Sequence, residues 1–260
     1  MAISEYTSNE DVVSGLEDLG VSGSILSELS NDIASLGDDL SVSIVGPGET
    51  PDPEADVVIQ QDETGALKIT VAGSSDVTVI GSSQGNTVSG GVGGDNMQLK
   101  GGSDLASGGK GADMLLGNGG ADTLYGGAGM DTLSGGKGAD ALYGGKGSDV
   151  LKGESGDDML YGGAGADTIY GGVGDDTIIG GAGADMLYGN GGDDVFTGGA
   201  GDTIYGGGGD DLVNLNANFD DVEITTDPSG VTIITFGADG SSITLSGVEK
   251  VSLLDQDVDL

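Results

Sequence analysis

The 260-residue sequence predicts an all-β solenoid, and three observations carry that expectation. A nine-residue pattern repeats in register through the middle of the chain. Glycine supplies 56 residues, roughly three times its usual share of about 7%. One apolar residue recurs in every repeat, too few to bury a core within one unit and enough to build one when units stack. High glycine with charge of one sign ordinarily signals disorder. The strict period sets this chain apart.

From Gly108 the chain reads GGKGADMLL, GNGGADTLY, GGAGMDTLS, GGKGADALY, GGKGSDVLK, GESGDDMLY, GGAGADTIY, GGVGDDTII, GGAGADMLY and GNGGDDVFT. A shortened GGAGDTIY lacks one residue before Asp202, and GGGGDDLVN ends the run at Asn214. Upstream, GGVGGDNMQ fits, LKGGSDLAS fits with Leu99 and Lys100 in place of the first two glycines, and GSSQGNTVS keeps the register with Asn86 in place of Asp. Fifteen units therefore run from Gly81 to Asn214.

Glycine at positions one, two and four permits positive φ and close backbone approach. Position six is acidic in fourteen units: Asp95, Asp104, Asp113, Asp122, Asp131, Asp140, Asp149, Asp158, Asp167, Asp176, Asp185, Asp194, Asp202 and Asp211. Position eight is apolar from Val88 to Val213. Positions seven to nine read as a three-residue strand with only its middle side chain inward. Stacked units would place the Asp residues in two ladders at about 4.8 Å spacing, where carboxylates repel unless a cation lies between them. The slip at Asp202 and the replacements at Asn86 and at Leu99/Lys100 are expected to weaken local sites.

Before the repeats, Val12, Val13, Leu16 and Leu19 follow Asn9, and Ile25, Leu26, Leu29, Ile33, Leu36 and Leu40 follow Ser22 and Ser24. Both patterns read as amphipathic helices in an N-terminal segment, 1–45. They would serve as a cap on the solenoid or as a partner-binding or assembly pair. A linker, 46–56, contains PGETPDPEAD. Residues 57–80 alternate apolar and polar (VVIQQ, ALKITVA, DVTVIG) and read as a β cap. Such caps cover end strands that would otherwise template aggregation. After the 81–214 repeats, residues 215–260 read as a C-terminal β meander with strands VEITT, GVTIITFG and SITLSGVEKV, followed by the tail SLLDQDVDL.

Composition narrows the chemistry. The net charge is −37, from 44 acidic residues against seven basic ones, all Lys, and His, Cys, Arg and Trp are absent. A basic stripe for nucleic acid cannot be built. Disulfides, zinc, haem and redox centres lack their ligands, and nucleophilic triads lack His. No N-terminal signal peptide and no transmembrane stretch is expected. Carboxylates with hard cations remain.

The repeats resemble the RTX, or haemolysin-type, calcium-binding nonapeptide. The resemblance covers 81–214, about half the chain. It implies a right-handed parallel β-roll, in which two repeats make one coil and Ca²⁺ lies between stacked loops. The whole chain is then all-β, a right-handed parallel β-roll with a small N-terminal helical segment and a C-terminal antiparallel β cap. The fourteen Asp, with loop carbonyls, are the implied ligands of roughly ten to twelve ions. Twelve Ca²⁺ would leave a charge of about −13. The family also implies type I secretion through an uncleaved C-terminal signal, whose character the tail shares, and hence an extracellular location.

Six Tyr occupy position nine and sort onto two faces: Tyr125, Tyr143 and Tyr161, then Tyr170, Tyr188 and Tyr205. They would stiffen the sheets by cross-strand stacking, or offer a surface for subunit contacts or glycan stacking. Thr123, Thr132, Thr168, Thr177 and Thr203 form no regular array of the kind ice binding would want. The sequence thus reads as a non-enzymatic, secreted, calcium-dependent structural protein. It would unfold when calcium is low, fold on export, and form a homo-oligomer or polymer at the cell surface or in the matrix, in contact with calcium and with cell-surface glycans. The alternative is a stand-alone calcium- or glycan-binding module of the kind attached to polysaccharide-modifying enzymes.

Overall fold

The computed structural model of the chain describes residues 42–45, 57–61, 66–71, 76–217, 219–237 and 240–260. The described residues form two long sheets facing each other, one of 13 strands and one of 11. Consecutive repeats alternate between them. Thr123–Ala128 and Ala141–Lys146 lie in the larger sheet, with Thr132–Lys137 between them in sequence and in the smaller sheet. Within each sheet the repeat strands are parallel and in register, so that Leu142 pairs with Leu124 on one side and Leu160 on the other. One turn of the solenoid is two repeats.

Most repeat strands are six residues long, where the repeat pattern predicts three. Thr123–Ala128 covers positions seven to nine and then one to three of the next repeat, and both Leu124 and Gly126 face inward. The glycine explains the extension. A Cβ on Gly126 would lie 2.6 Å from Asp131 Oδ2 and 2.7 Å from the Gly144 carbonyl oxygen. Position one is therefore an inward position, and in this repeat only a residue without a side chain fits it. It continues the strand and leaves room for the acidic side chain of its own repeat. Leu99, at position one of its own repeat, is instead buried in the core.

The core is correspondingly narrow. Leu124, Leu142, Leu160 and Ile178 descend from the larger sheet, facing Leu115, Leu133, Leu151 and Ile169 from the smaller one, all fully buried. Burying each such side chain contributes about 1.5–3 kcal/mol. Phe196 is the largest side chain in this file.

At the N-terminal end, Val57–Gln61 and Leu67–Val71 pair antiparallel, and Leu67–Val71 joins the first repeat strand, Thr87–Ser89, in parallel. Val42–Val45 is a strand parallel to Val57–Gln61, although these residues close the segment read as helical. The amphipathic patterns over Val12–Leu40 and the linker 46–56 lie outside the described residues.

At the C-terminal end, Val222–Thr226, Thr232–Phe236 and Ser242–Ser246 form an antiparallel meander. Its last strand runs parallel to Thr203–Gly208 and so closes the smaller sheet. The stretch SITLSGVEKV, read as one strand, is two. Gly247 turns at φ 61°, and Lys250–Ser252 crosses to the larger sheet beside Leu212–Asn214. Asp257–Asp259 in the tail pairs antiparallel with Lys250–Ser252, and Lys250 Nζ lies 2.6 Å from Asp257 Oδ2. Among the described residues no helix is long and apolar enough to cross a membrane.

Candidate metal centre

Position six is the last residue before each strand begins. Its carbonyl accepts the first ladder bond of the strand one turn on, as in Thr132 N–H to Asp113 O at 2.8 Å. This fixes the backbone and aims every position-six side chain inward along one edge of the roll. All fourteen Asp are almost completely buried, at most 3% exposed.

One oxygen of each carboxylate has a defined partner. Asp113 N–H donates to Asp131 Oδ1 at 2.9 Å, Asp131 N–H to Asp149 Oδ1 at 2.8 Å, and Asp149 N–H to Asp167 Oδ1 at 2.8 Å. The opposite edge repeats this from Asp104 N–H to Asp122 Oδ1 (2.8 Å) down to Asp194 N–H to Asp211 Oδ1 (2.9 Å). The two ladders expected from the period are therefore present as continuous hydrogen-bonded files.

The second oxygen is different. In twelve of the Asp, Oδ2 is buried with no hydrogen-bond partner: Asp104, Asp113, Asp122, Asp131, Asp140, Asp149, Asp158, Asp167, Asp176, Asp185, Asp194 and Asp211. Two Asp depart from this. Asp95 Oδ2 accepts from Gly91 N–H at 3.0 Å, and Asp202 Oδ2 from Gly199 N–H at 2.6 Å. Both stand near the ends of the same file. Beyond Asp202 the next rung is Ile243, a buried apolar side chain, because Thr203 is in register with Thr244.

Burial away from water pushes these carboxyls above the ordinary value, and neighbouring Asp add to the effect at several of them. Asp176 rises to about 7, and Asp104, Asp131, Asp140, Asp167 and Asp194 to about 6. In each case loss of solvation is the largest cause.

Sequence reasoning missed one member of the files and one acid beside them. Glu249 Oε2 accepts from Asp211 N–H at 2.8 Å and so continues the ladder into the cap. The signal was present: Gly247, Glu249 and Val251 keep the glycine–acid–apolar spacing of positions four, six and eight. Asp76, also missed, stands outside the files at position five: its Oδ1 accepts from Gly94 N–H at 2.7 Å, one turn above the first loop of that edge. At the other end Asn86 replaces a carboxylate with an amide, and its Nδ2 donates to Asp104 Oδ1 at 2.9 Å.

These residues fit a hard cation. A buried carboxylate oxygen without a donor costs on the order of several kcal/mol, and twelve such atoms are far outside what a fold tolerates unpartnered. Among the described residues no three acidic side chains converge on one point. Each loop offers one inner carboxylate, so further ligands would be backbone carbonyls, which suit Ca²⁺ and its six to eight oxygens.

Two sheets of parallel coils with an acidic file along each edge define a class: a β-solenoid built around oxygen-ligated metal. The RTX calcium-binding nonapeptide repeat, in its four-copy form, matches residues 98–133, 125–160, 134–169, 143–178, 170–202 and 188–222. The chain belongs to the RTX-repeat proteins through this segment, and it is a calcium-binding structural protein. No curated protein matches the chain.

The six tyrosines stand on the outer faces as their spacing predicts. Tyr125 and Tyr143 stack with centroids 4.8 Å apart and planes 10° apart. Tyr170, Tyr188 and Tyr205 form a continuous stack at the same spacing. Tyr161 follows Tyr143 in register.

Proposed function

We propose that the twelve Asp with an unpartnered Oδ2 hold calcium between successive loops of each edge, roughly ten to twelve ions in all. Those orphaned oxygens are the observation that carries this reading. The fourteen Asp expected as ligands divide on it, since Asp95 and Asp202 already have backbone donors for Oδ2.

The chain's own part is to position oxygens. The amide of one Asp fixes Oδ1 of the Asp one turn on, which leaves Oδ2 directed into the loop. Position-one glycine keeps that space open. Calcium, when bound, neutralises the two files. Without it the carboxylates repel and glycine-rich loops lose little by disordering. Folding would then follow calcium, and export from a calcium-poor cytosol to a calcium-rich exterior would switch the roll on. The C-terminal tail, 252–260, is the candidate type I secretion signal.

Outside the cell the protein would act as a building material that self-assembles in a surface layer, filament or adhesin-like coat. The outward-facing files of Tyr, exposed at Tyr125, Tyr161 and Tyr205 and half-buried at Tyr143, Tyr170 and Tyr188, are the candidate contact surface. A glycan-binding module is the second reading, and one observation weighs against it. Within each stack the rings turn their faces to one another, so few faces remain for a sugar.

Circular dichroism and calorimetry during a calcium titration at neutral pH test the central claim. A disordered chain in EDTA should gain β structure as about ten or more ions bind. A chain equally folded in EDTA would overturn it. Negative-stain microscopy with calcium tests assembly: ordered fibres or sheets support it, and dispersed monomers favour the module.

A further inference from the structure

The two edges of the roll are chemically unequal. On one edge, position five is acidic in four successive turns, Asp157, Asp175, Asp193 and Asp210, all exposed. They form a second file outside the first. Asp175 N–H donates to Asp157 Oδ1 at 3.0 Å, Asp193 N–H to Asp175 Oδ1 at 2.8 Å, and Asp210 N–H to Asp193 Oδ1 at 2.8 Å. Each is the chain neighbour of an inner Asp (Asp158, Asp176, Asp194 or Asp211) whose buried Oδ2 has no partner.

The opposite edge has one such acid among the described residues, Asp76, whose Oδ1 accepts from Gly94 N–H above the first loop, and no acidic file along its repeats. Its position five reads Ala112, Met130, Ser148, Ala166 and Ala184. There Ala166 N–H donates to Ser148 Oγ at 3.3 Å, so a neutral hydroxyl fills the slot that a carboxylate fills across the roll. The upper turns of the acidic edge are also neutral, with Ser103, Ala121 and Ala139. Three consecutive loop-to-loop gaps, Asp158 to Asp176, Asp176 to Asp194 and Asp194 to Asp211, are thus flanked by paired carboxylates on both sides.

The geometry points to two classes of calcium site, with a tight class of about three ions in these gaps. The inference rests on the calcium reading above. The outer carboxylates are held on the frame by backbone amides, so their charge acts at short range without further ordering. A dication attracted by an additional fixed carboxylate binds about tenfold tighter or more, even with surface screening.

The variant D157N/D175N/D193N/D210N isolates the charge, because an Asn side-chain oxygen accepts the same backbone amide. The reciprocal variant S148D/A166D/A184D moves an outer file to the other edge. Bound calcium is measured on the full chain by equilibrium dialysis against chelator-buffered free calcium, with circular dichroism on the same samples. The wild type should fill in two steps about tenfold or more apart, the first of about three ions. The Asn variant should lose the first step and keep its total, and the reciprocal variant should enlarge the first step. One step in the wild type, or a first step unchanged in the Asn variant, overturns the inference. Should the Asn variant fail to fold with calcium, the reciprocal variant decides, and an unenlarged first step sinks it. A wild-type chain that binds no calcium at all instead sinks the calcium reading.

Discussion

Gly147 and Gly119 occupy neighbouring kinds of position and should respond oppositely to a methyl group. Gly147 has φ 126°, and a Cβ there would overlap the Gly129 carbonyl oxygen one turn above. Gly119 has 3.8 Å to its nearest neighbour, the Lys100 carbonyl oxygen. Gly147→Ala should cost about 2 kcal/mol or more in the calcium-loaded state, from left-handed strain together with the clash. Gly119→Ala should stay within about 0.5 kcal/mol of wild type. Urea unfolding at saturating calcium checks both, and equal losses would refute the distinction. At this scale the sequence was informative about which residues matter and less so about how each is satisfied. The period placed the fourteen Asp in files. It could not show that Asp95 and Asp202 turn Oδ2 to a backbone amide, because that depends on how each end of the file is closed.

Each coil adds one inward apolar residue per strand, and its neighbours are the coils directly above and below. Leu142 contacts this file fully buried between Leu124 and Leu160. Leu142→Ala should therefore cost about 2–5 kcal/mol, the range for a buried leucine whose cavity cannot collapse. Hydrogen exchange should place the loss in the adjoining coils, since solenoid coupling is between neighbours. Exchange that rises uniformly along the roll would argue against that. Strand existence follows from the nine-residue spacing, and parallel pairing with two repeats per coil from the family resemblance that the spacing carries. Strand length does not. The extension through positions one to three depends on Gly126 and its equivalents facing inward beside an acidic side chain, a tertiary fact that a string of glycines does not reveal. Likewise, the break at Gly247 that sends two halves of SITLSGVEKV to different sheets is set by the need to close both sheets at once.

At the scale of the whole molecule, the buried files make the metal-free roll sensitive to pH. In the folded state the carboxyls stand above their ordinary 3.8, several near 6 and Asp176 near 7. Below 3.8 the folded and unfolded chains are both protonated at these groups. As pH rises from there, the unfolded chain ionises first while the folded one retains protons, so stability falls until pH passes about 6–7. In EDTA the chain should therefore hold more β structure at pH 4 than at pH 8, by circular dichroism. Calcium at pH 8 should restore what was lost. More structure at pH 8 than at pH 4 without metal would contradict the files as described. Calcium bound along the files would make a charge of −37 compatible with a compact fold, because twelve of the carboxylates face the interior with a free oxygen.

The tyrosine stacks carry one more consequence, an optical one. Rings 4.8 Å apart along parallel, in-register strands reproduce on a single chain the ridged surface of an amyloid fibril. Dyes that recognise such ridges should fluoresce with this protein in calcium, dim in EDTA, and dim again with Tyr188→Ala, which removes the centre of the three-ring stack. If size-exclusion chromatography shows monomer in the same sample, thioflavin signal from this chain will be a readout of folding rather than of fibrils.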